Sequence, residues 1–230
     1  MESIWKKVNK NENINEITED IERDVVIIGG GIAGFLTAYR LAEKGSKVTL
    51  IEANVLFSGV TQFTTAHIEA LQGIKYSALK NRECAQLYFE SQIAAIDELE
   101  ALVKKHNIDC DFKRLDSYLY TNTDVSTLKR EYEILKDIRA NVEFSENASI
   151  LNAVAKAAIV LHDQASFEPI KFLSGLPINF ELIENTRIID VDYKEKVLFT
   201  EKYRIKAEKI VIATNFPIIN VPGWYFLRMY

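Results

Sequence analysis

Cysteine is scarce in this chain of 230 residues: only Cys84 and Cys110 occur, far apart in sequence. Neither a disulfide framework nor a C-x-x-C metal pair can be built from them, so a reducing cytoplasm is the expected setting. Each reads more simply as a small apolar residue on a packed face than as a redox group. Long hydrophobic runs are missing too. The opening MESIWKKVNKNENINEITEDIERD lacks the roughly 7–15 apolar residues of a signal peptide, and no run approaches the ~18 that a membrane span requires. No block of basic charge is present either: 28 Lys and Arg are interspersed among 33 Asp and Glu, for a net charge of −5. Nucleic acid is therefore not an expected partner. His67, His106 and His162 are too scattered to suggest a metal cluster by spacing. What remains is an ordinary globular composition with 48% hydrophobic residues, enough for one large domain or two small ones.

Against that background one stretch stands out, Asp24 to Glu52, DVVIIGGGIAGFLTAYRLAEKGSKVTLIE. Its order is strand, glycine turn, helix, strand, acid. Val25 to Ile28 is a β-branched run suited to a parallel strand covered on both faces. Gly29, Gly31 and Gly34 fit the G-x-G-x-x-G spacing: the first for a tight exit from the strand, the second for close approach of backbone to a pyrophosphate, the third for packing of helix on sheet. The helix starts near Ile32, so its free N–H groups and positive dipole end face the phosphates. Leu36, Leu41 and Ala42 are expected to share one side of it, and Gly45 stands at a plausible C-cap. Lys47 to Ile51 is the second strand and delivers Glu52 to the ribose hydroxyls. A 2′-phosphate would be repelled by that carboxylate, which disfavours NADP and leaves FAD or NAD.

Beyond this unit, Phe57 to Gly73 is rich in small and hydroxyl residues and reads as a loop. Apolar spacing predicts a long helix from Leu79 to about Lys105, a strand at Tyr118 to Tyr120 and a helix over Val125 to Ala140. Ala153 to Leu161 reads as a strand, its alanines leaving helix open. Phe167 to Leu176 is a short helix with Pro169 in its first turn. Arg187 to Tyr193, Lys196 to Thr200 and Tyr203 to Ala207 form a β-meander, followed by a further core strand at Lys209 to Ala213. The fold class is thus α/β, an interrupted Rossmann-type domain with a parallel sheet and a meander, plus a partial α+β substrate domain. The expected division is an arm at 1–22, a dinucleotide domain at 23–80 and 181–218, a cap at 81–180, and an end segment at 219–230. Ile4 and Trp5 are available to dock the arm. So long an interruption suits a flavin site better than a simple NAD dehydrogenase, in which βα units follow one another directly.

GGGIAG, the acid at Glu52, the hydroxyl-rich loop and the ending IVIATN together resemble the FAD-dependent oxidoreductases of the D-amino acid oxidase and glycine oxidase type. GVTQFTTAHIEALQG, DQASFEPIKFLSGL and NVPGWYFLRM look like a bacterial branch whose longer members can carry a C-terminal Rieske iron–sulfur domain. The resemblance implies that Gly29, Gly31, Ile32, Ala33 and Gly34 form the FAD pyrophosphate turn and that Glu52, with Ala53 beside it, binds the adenosine ribose. It further implies that Thr61 lies near the pyrophosphate, that Thr64, Thr65 and Ala66 run beside the isoalloxazine ring, that Ile188 meets the adenine through its main chain, and that Ala213 and Thr214 pass close to the cofactor. Asn215 stands where the family has glycine, and Asn tolerates positive φ better than other residues with side chains.

The activity so implied is hydride transfer from a C–N bond of an amine or amino acid to FAD, giving an imine that hydrolyses. No side chain is needed as general base, and no catalytic residue is named. His67 reads as a packing or helix-terminal histidine, Asp163 and Glu168 as loop carboxylates, and Tyr118 and Tyr120 equally as sheet or substrate-facing residues. Family members continue well beyond the equivalent of Tyr230, so faces left uncovered here are expected to self-associate. Two other readings stand beside the FAD oxidoreductase: a non-catalytic remnant or interaction module that keeps the fold, and an NAD-dependent enzyme.

Overall fold

The computed structural model describes Trp5 and residues 17–150, 153–215 and 218–219. Ile4 and NVPGWYFLRM (220–229) lie outside the described residues. In chain order the first elements are β1 (Ile21–Ile28), α1 (Ile32–Glu43), β2 (Val48–Ile51), β3 (His67–Ile68), α2 (Arg82–His106), β4 (Lys113–Thr121) and α3 (Val125–Asp137). They are followed by β5 (Val142–Ile150), β6 (Ala153–Ser166), α4 (Pro169–Ser174), β7 (Glu181–Ile183), β8 (Asp190–Asp192), β9 (Val197–Phe199) and β10 (Arg204–Ile212). Two compact units divide them, Met1–Thr64 with Pro169–Tyr230, and Thr65–Glu168.

Among the described residues the first unit holds a six-stranded sheet in the order β7-β2-β1-β10-β9-β8. β7, β2, β1 and β10 run parallel, whereas β9 pairs antiparallel with both β10 and β8. Val25–Ile28 and all of β2 are buried, as strands covered on both faces must be. The helix face that covers them is Gly34, Phe35, Ala38 and Tyr39, not the expected Leu36, Leu41 and Ala42, which are only half-buried. Helical geometry groups positions three and four apart, and Phe35, Ala38 and Tyr39 satisfy that step. Phe35 packs edge-on against Phe57 and Phe180, with ring centroids 5.0 and 5.4 Å away. At the end of α1, Gly45 has φ +86°, and the N–H groups of Gly45 and Ser46 donate to the carbonyls of Ala42 and Leu41. This pair of bonds closes the helix as a Schellman cap.

The meander region differs from its expected form. Tyr203–Ala207 and Lys209–Ala213 are not two strands but one, β10, whose register with β1 keeps a single offset from Ile21↔Ile205 to Ile28↔Ile212. Glu208 is exposed, so its charge does not interrupt the strand. β7 is an edge strand that the apolar pattern was too short to reveal. Arg23 on β1 donates two hydrogen bonds to Glu181 on β7, at 2.6 and 2.9 Å, and the Thr49 hydroxyl on β2 donates a third at 2.6 Å.

In the second unit β6 is the central strand of an antiparallel sheet, pairing with β4 along one edge and with β5 and β3 along the other. The alanines that left helix open at 153–161 serve close packing: Ala155, Ala157 and Ala158 are at most 2% exposed. α3 covers the sheet with Leu128 and Leu135, joined in one core by Tyr76, Ala85, Ile159 and Leu161. β5 was not expected, because Ser145, Glu146 and Asn147 hide its strand pattern. Cys110 is buried and Cys84 exposed; burial pushes the Cys110 thiol upward in pKa, as befits a packing residue. Among the described residues no helix is long and apolar enough to cross a membrane.

Candidate functional site

At the ends of the parallel strands β1, β2 and β10, the first unit holds a cavity of about 650 Å³. Its backbone is set by two glycines. Gly29 takes φ +108°, and a Cβ there would lie 2.8 Å from the carbonyl oxygen of Ala213. A Cβ on Gly34 would lie 1.9 Å from the carbonyl oxygen of Gly29. Both places admit glycine alone, because the turn, the helix and the strand end converge there. The Gly29 N–H donates to the Ile51 carbonyl at 2.8 Å and the Ala213 N–H to the Ile28 carbonyl at 2.9 Å, so the strand ends are tied at the turn.

The start of α1 opens on this cavity, and its first N–H groups have no carbonyl one turn back to bond. Thr61, buried at 4% exposure, accepts the Ile32 N–H on its hydroxyl oxygen at 3.0 Å. Glu52 accepts the Gly30 N–H at 2.6 Å on one carboxylate oxygen and the Asn54 N–H at 2.9 Å on the other. Its carboxylate thus bridges the glycine turn to the loop after β2. Two carboxylate oxygens offer about four lone-pair sites, so capacity remains for hydroxyl donors.

Of the residues singled out in the sequence, Gly29, Gly31, Ile32, Ala33, Glu52, Ala53, Thr61, Thr64, Ile188, Ala213 and Thr214 line this cavity. Gly34 sits behind the wall, where the helix meets the strand. Thr65 and Ala66 belong to the second unit: Ala66 is buried with φ +63° and accepts the Phe167 N–H at 3.3 Å, and Thr65 lines a smaller cavity of about 310 Å³ with His67 and Glu69. The Trp5 indole N–H donates to the Thr64 carbonyl at 3.1 Å.

Sequence reasoning missed several wall residues, among them Gly30, Asn54, Phe57, Thr186 and Arg187. The middle glycine of the GGG run, outside the G-x-G-x-x-G spacing, was the available signal for Gly30. Nothing in the local pattern marked Thr186 and Arg187, which reach the wall through the loop that follows β7. Asn215 is exposed and lines the cavity in place of the family's glycine.

The residues present suit a dinucleotide. Thr214 Oγ1 is buried and, among the described residues, has no hydrogen-bond partner. An orphaned hydroxyl in a cavity wall is a group in want of a ligand. The helix start offers backbone donors to anionic oxygens, and Arg187, exposed at the rim, adds positive charge. Among the described residues no group of three or more His, Cys, Asp or Glu is arranged to hold a metal ion.

A parallel sheet with a glycine turn between its first strand and first helix defines a Rossmann-type α/β unit. Residues 24–221 match the family of FAD dependent oxidoreductases, and the chain belongs to that family. A Bacillus subtilis protein, YhfW, named as a Rieske 2Fe-2S iron-sulfur protein, is 32% identical over 241 residues, covering 100% of this chain and 47% of that protein. D-amino acid dehydrogenase of Helicobacter pylori is 22% identical over 247 residues, covering 85% of this chain and 60% of that one. In structure, glycine oxidase from Geobacillus kaustophilus superposes with a TM-score of 0.67 at 20% identity, over 84% of this chain and 55% of that enzyme. That likeness establishes the fold. The chain spans about half the length of the curated relatives it matches.

Proposed function

We propose that this chain binds FAD in the cavity of its first unit and forms the flavin-binding part of an oxidoreductase acting on a C–N bond of an amine or amino acid. The observation that carries the reading is the pairing of a helix N-terminus behind a glycine-only turn with a carboxylate already fixed opposite it. The backbone at Gly31 and the N–H of Ala33, both on the cavity wall, would receive the pyrophosphate. Glu52 would accept hydrogen bonds from the ribose hydroxyls, Thr214 and Ala213 would meet the cofactor along its length, and Ile188 would offer main-chain groups to the adenine. Thr61 holds the first turn of α1 in place. When bound, the flavin supplies the acceptor for a hydride from substrate carbon. The protein's share is orientation and exclusion of water. Amino acid substrates are supported by the names of two similar proteins, D-amino acid dehydrogenase and glycine oxidase.

The test is direct. Purified protein is expected to be yellow with flavin absorbance bands, or to acquire them on addition of FAD, with a rise in melting temperature that NAD does not reproduce. Colourless protein that refuses FAD would leave the fold serving as an interaction module, and stabilisation by NAD alone would reassign the cofactor.

A further inference from the structure

Glu184 follows β7 and is only 2% exposed. Its Oε1 accepts the Leu56 N–H at 2.6 Å, and among the described residues no partner reaches Oε2. A buried carboxylate with one oxygen unpaired costs stability, and an apolar side chain of like volume would sit there more cheaply. What it holds is visible in its neighbours. The Glu52 N–H donates to the Ile183 carbonyl at 2.9 Å, the Thr186 N–H to the Glu52 carbonyl at 3.0 Å, and the Asn185 N–H to the Asn54 carbonyl at 2.8 Å. Asn185 turns between them with φ +53°. The loop after β7 is therefore laced to the loop after β2, and the Glu184 carboxylate is the side-chain rung that extends the lacing to Leu56. Glu52 and Asn54 on one loop and Thr186 and Ile188 on the other are walls of the cavity. Glu184 itself is not among the lining residues.

We propose that Glu184 is a positioning residue for the adenosine end of the dinucleotide: by holding the Leu56 N–H it fixes the 52–56 loop, and with it the Glu52 carboxylate, against the 184–188 loop. It acts through Leu56 and touches no ligand. The inference rests on the FAD reading above and adds to it a specific device that sets affinity at one end of the cofactor.

Calorimetric titration of the full chain with ADP, which carries the adenosine diphosphate end without the flavin, and with FAD tests it in wild type, E184M and E184Q. Methionine fills a similar volume but offers no oxygen to Leu56, whereas glutamine restores an acceptor at the same reach. E184M is expected to weaken ADP and FAD by the same factor, about tenfold. E184Q should stay within about threefold of wild type for both. A contact that served stability alone would lower the melting temperature of E184M without this loss and its recovery in E184Q. Folded E184M with wild-type ADP affinity overturns the assignment, as does E184Q as weak as E184M. Amide exchange in the wild type provides a measurement that needs no variant. Saturating ADP should slow exchange at Leu56 by about tenfold or more, and unchanged exchange there is equally fatal. Wild-type protein that binds neither ADP nor FAD would remove the flavin reading itself, whereas wild-type binding with an unaffected E184M removes only the role of Glu184.

Discussion

Glu52 in the first unit and Glu131 in the second both gather backbone N–H groups of a loop, but they leave those loops in opposite states. Glu131 projects from α3 with 0% exposure and accepts the N–H groups of Lys75, Tyr76 and Ser77 at 2.8, 2.6 and 2.8 Å. It closes the start of a short 3-10 turn, Tyr76–Ala78. Nearby the Tyr76 hydroxyl donates to the Ala70 carbonyl at 2.8 Å, and Gln164 accepts the Ala70 N–H at 2.7 Å. Burial, first of all, drives the Tyr76 hydroxyl well above its ordinary pKa, so it stays a donor. Glu52 takes two N–H groups and lines an open cavity. Saturation and access separate an internal strut from a site: the first carboxylate is buried with three N–H groups on it, and the second holds two and lies on an open cavity.

Substitutions sharpen that contrast, the harshest first. G34A drives a methyl group into the Gly29 carbonyl and is expected to cost more than about 4 kcal/mol, leaving the first unit unfolded and flavin-free, as circular dichroism and absorbance would report. E131A strands the buried N–H of Tyr76 and the partly buried ones of Lys75 and Ser77 and should destabilise the second unit by about 3–5 kcal/mol. Protein that still folds at low temperature should bind FAD normally, and equal loss of FAD affinity would erase the distinction between strut and site. E52Q reverses the pattern, with FAD affinity down about tenfold or more and stability changed by about 1 kcal/mol or less. T61A removes the hydroxyl that holds the first turn of α1 and should cost about 1 kcal/mol, read as a small fall in melting temperature.

The mildest effect concerns pH. His162 on β6 faces Asp116 on β4 at 3.0 Å and Glu143 on β5 at 3.5 Å. The hydrogen bond to Asp116 and, with it, the charge of both carboxylates raise its pKa above the ordinary histidine value. A group whose folded pKa is raised stabilises the fold fully below its unfolded pKa and loses that contribution as pH climbs through the folded value. The second unit should accordingly melt at slightly lower temperature as pH rises from about 6 through neutrality, and H162Q should flatten the trend. A wild-type profile as flat as the variant's would count against the ion triplet.

The glycine turn, α1 and Glu52 were legible because each is dictated locally: a turn that only glycine enters, a 3.6-residue period, an acid at the end of a short apolar strand. The long helix α2 and the short α4 were legible for the same reason. β5 and β7 were not, since a polar strand edge and a three-residue strand carry too little alternation to be read alone. β10 reads as two strands in the sequence because Glu208 falls between its apolar stretches, whereas pairing with β1 at one offset on both sides of Glu208 makes it a single strand. Arg187, Thr186 and Glu184 escaped notice because what places them is the parallel pairing of Ile51 with Ile183, a contact between residues far apart in the chain.

The pairing of β1 with β10 also imposes an order on synthesis. Ile21 meets Ile205, and Gly29 rests against Ala213, so the strand beside β1 leaves the ribosome some 184 residues after it (205 − 21). At translation rates of about 5–20 residues per second that interval is on the order of 10–40 s. Throughout it the most conspicuous motif of the chain exists as an unfinished edge, its apolar strand available to chaperones or to a neighbouring nascent chain, while Thr65–Glu168 can mature. The cofactor corner is thus begun long before β10 emerges to complete it.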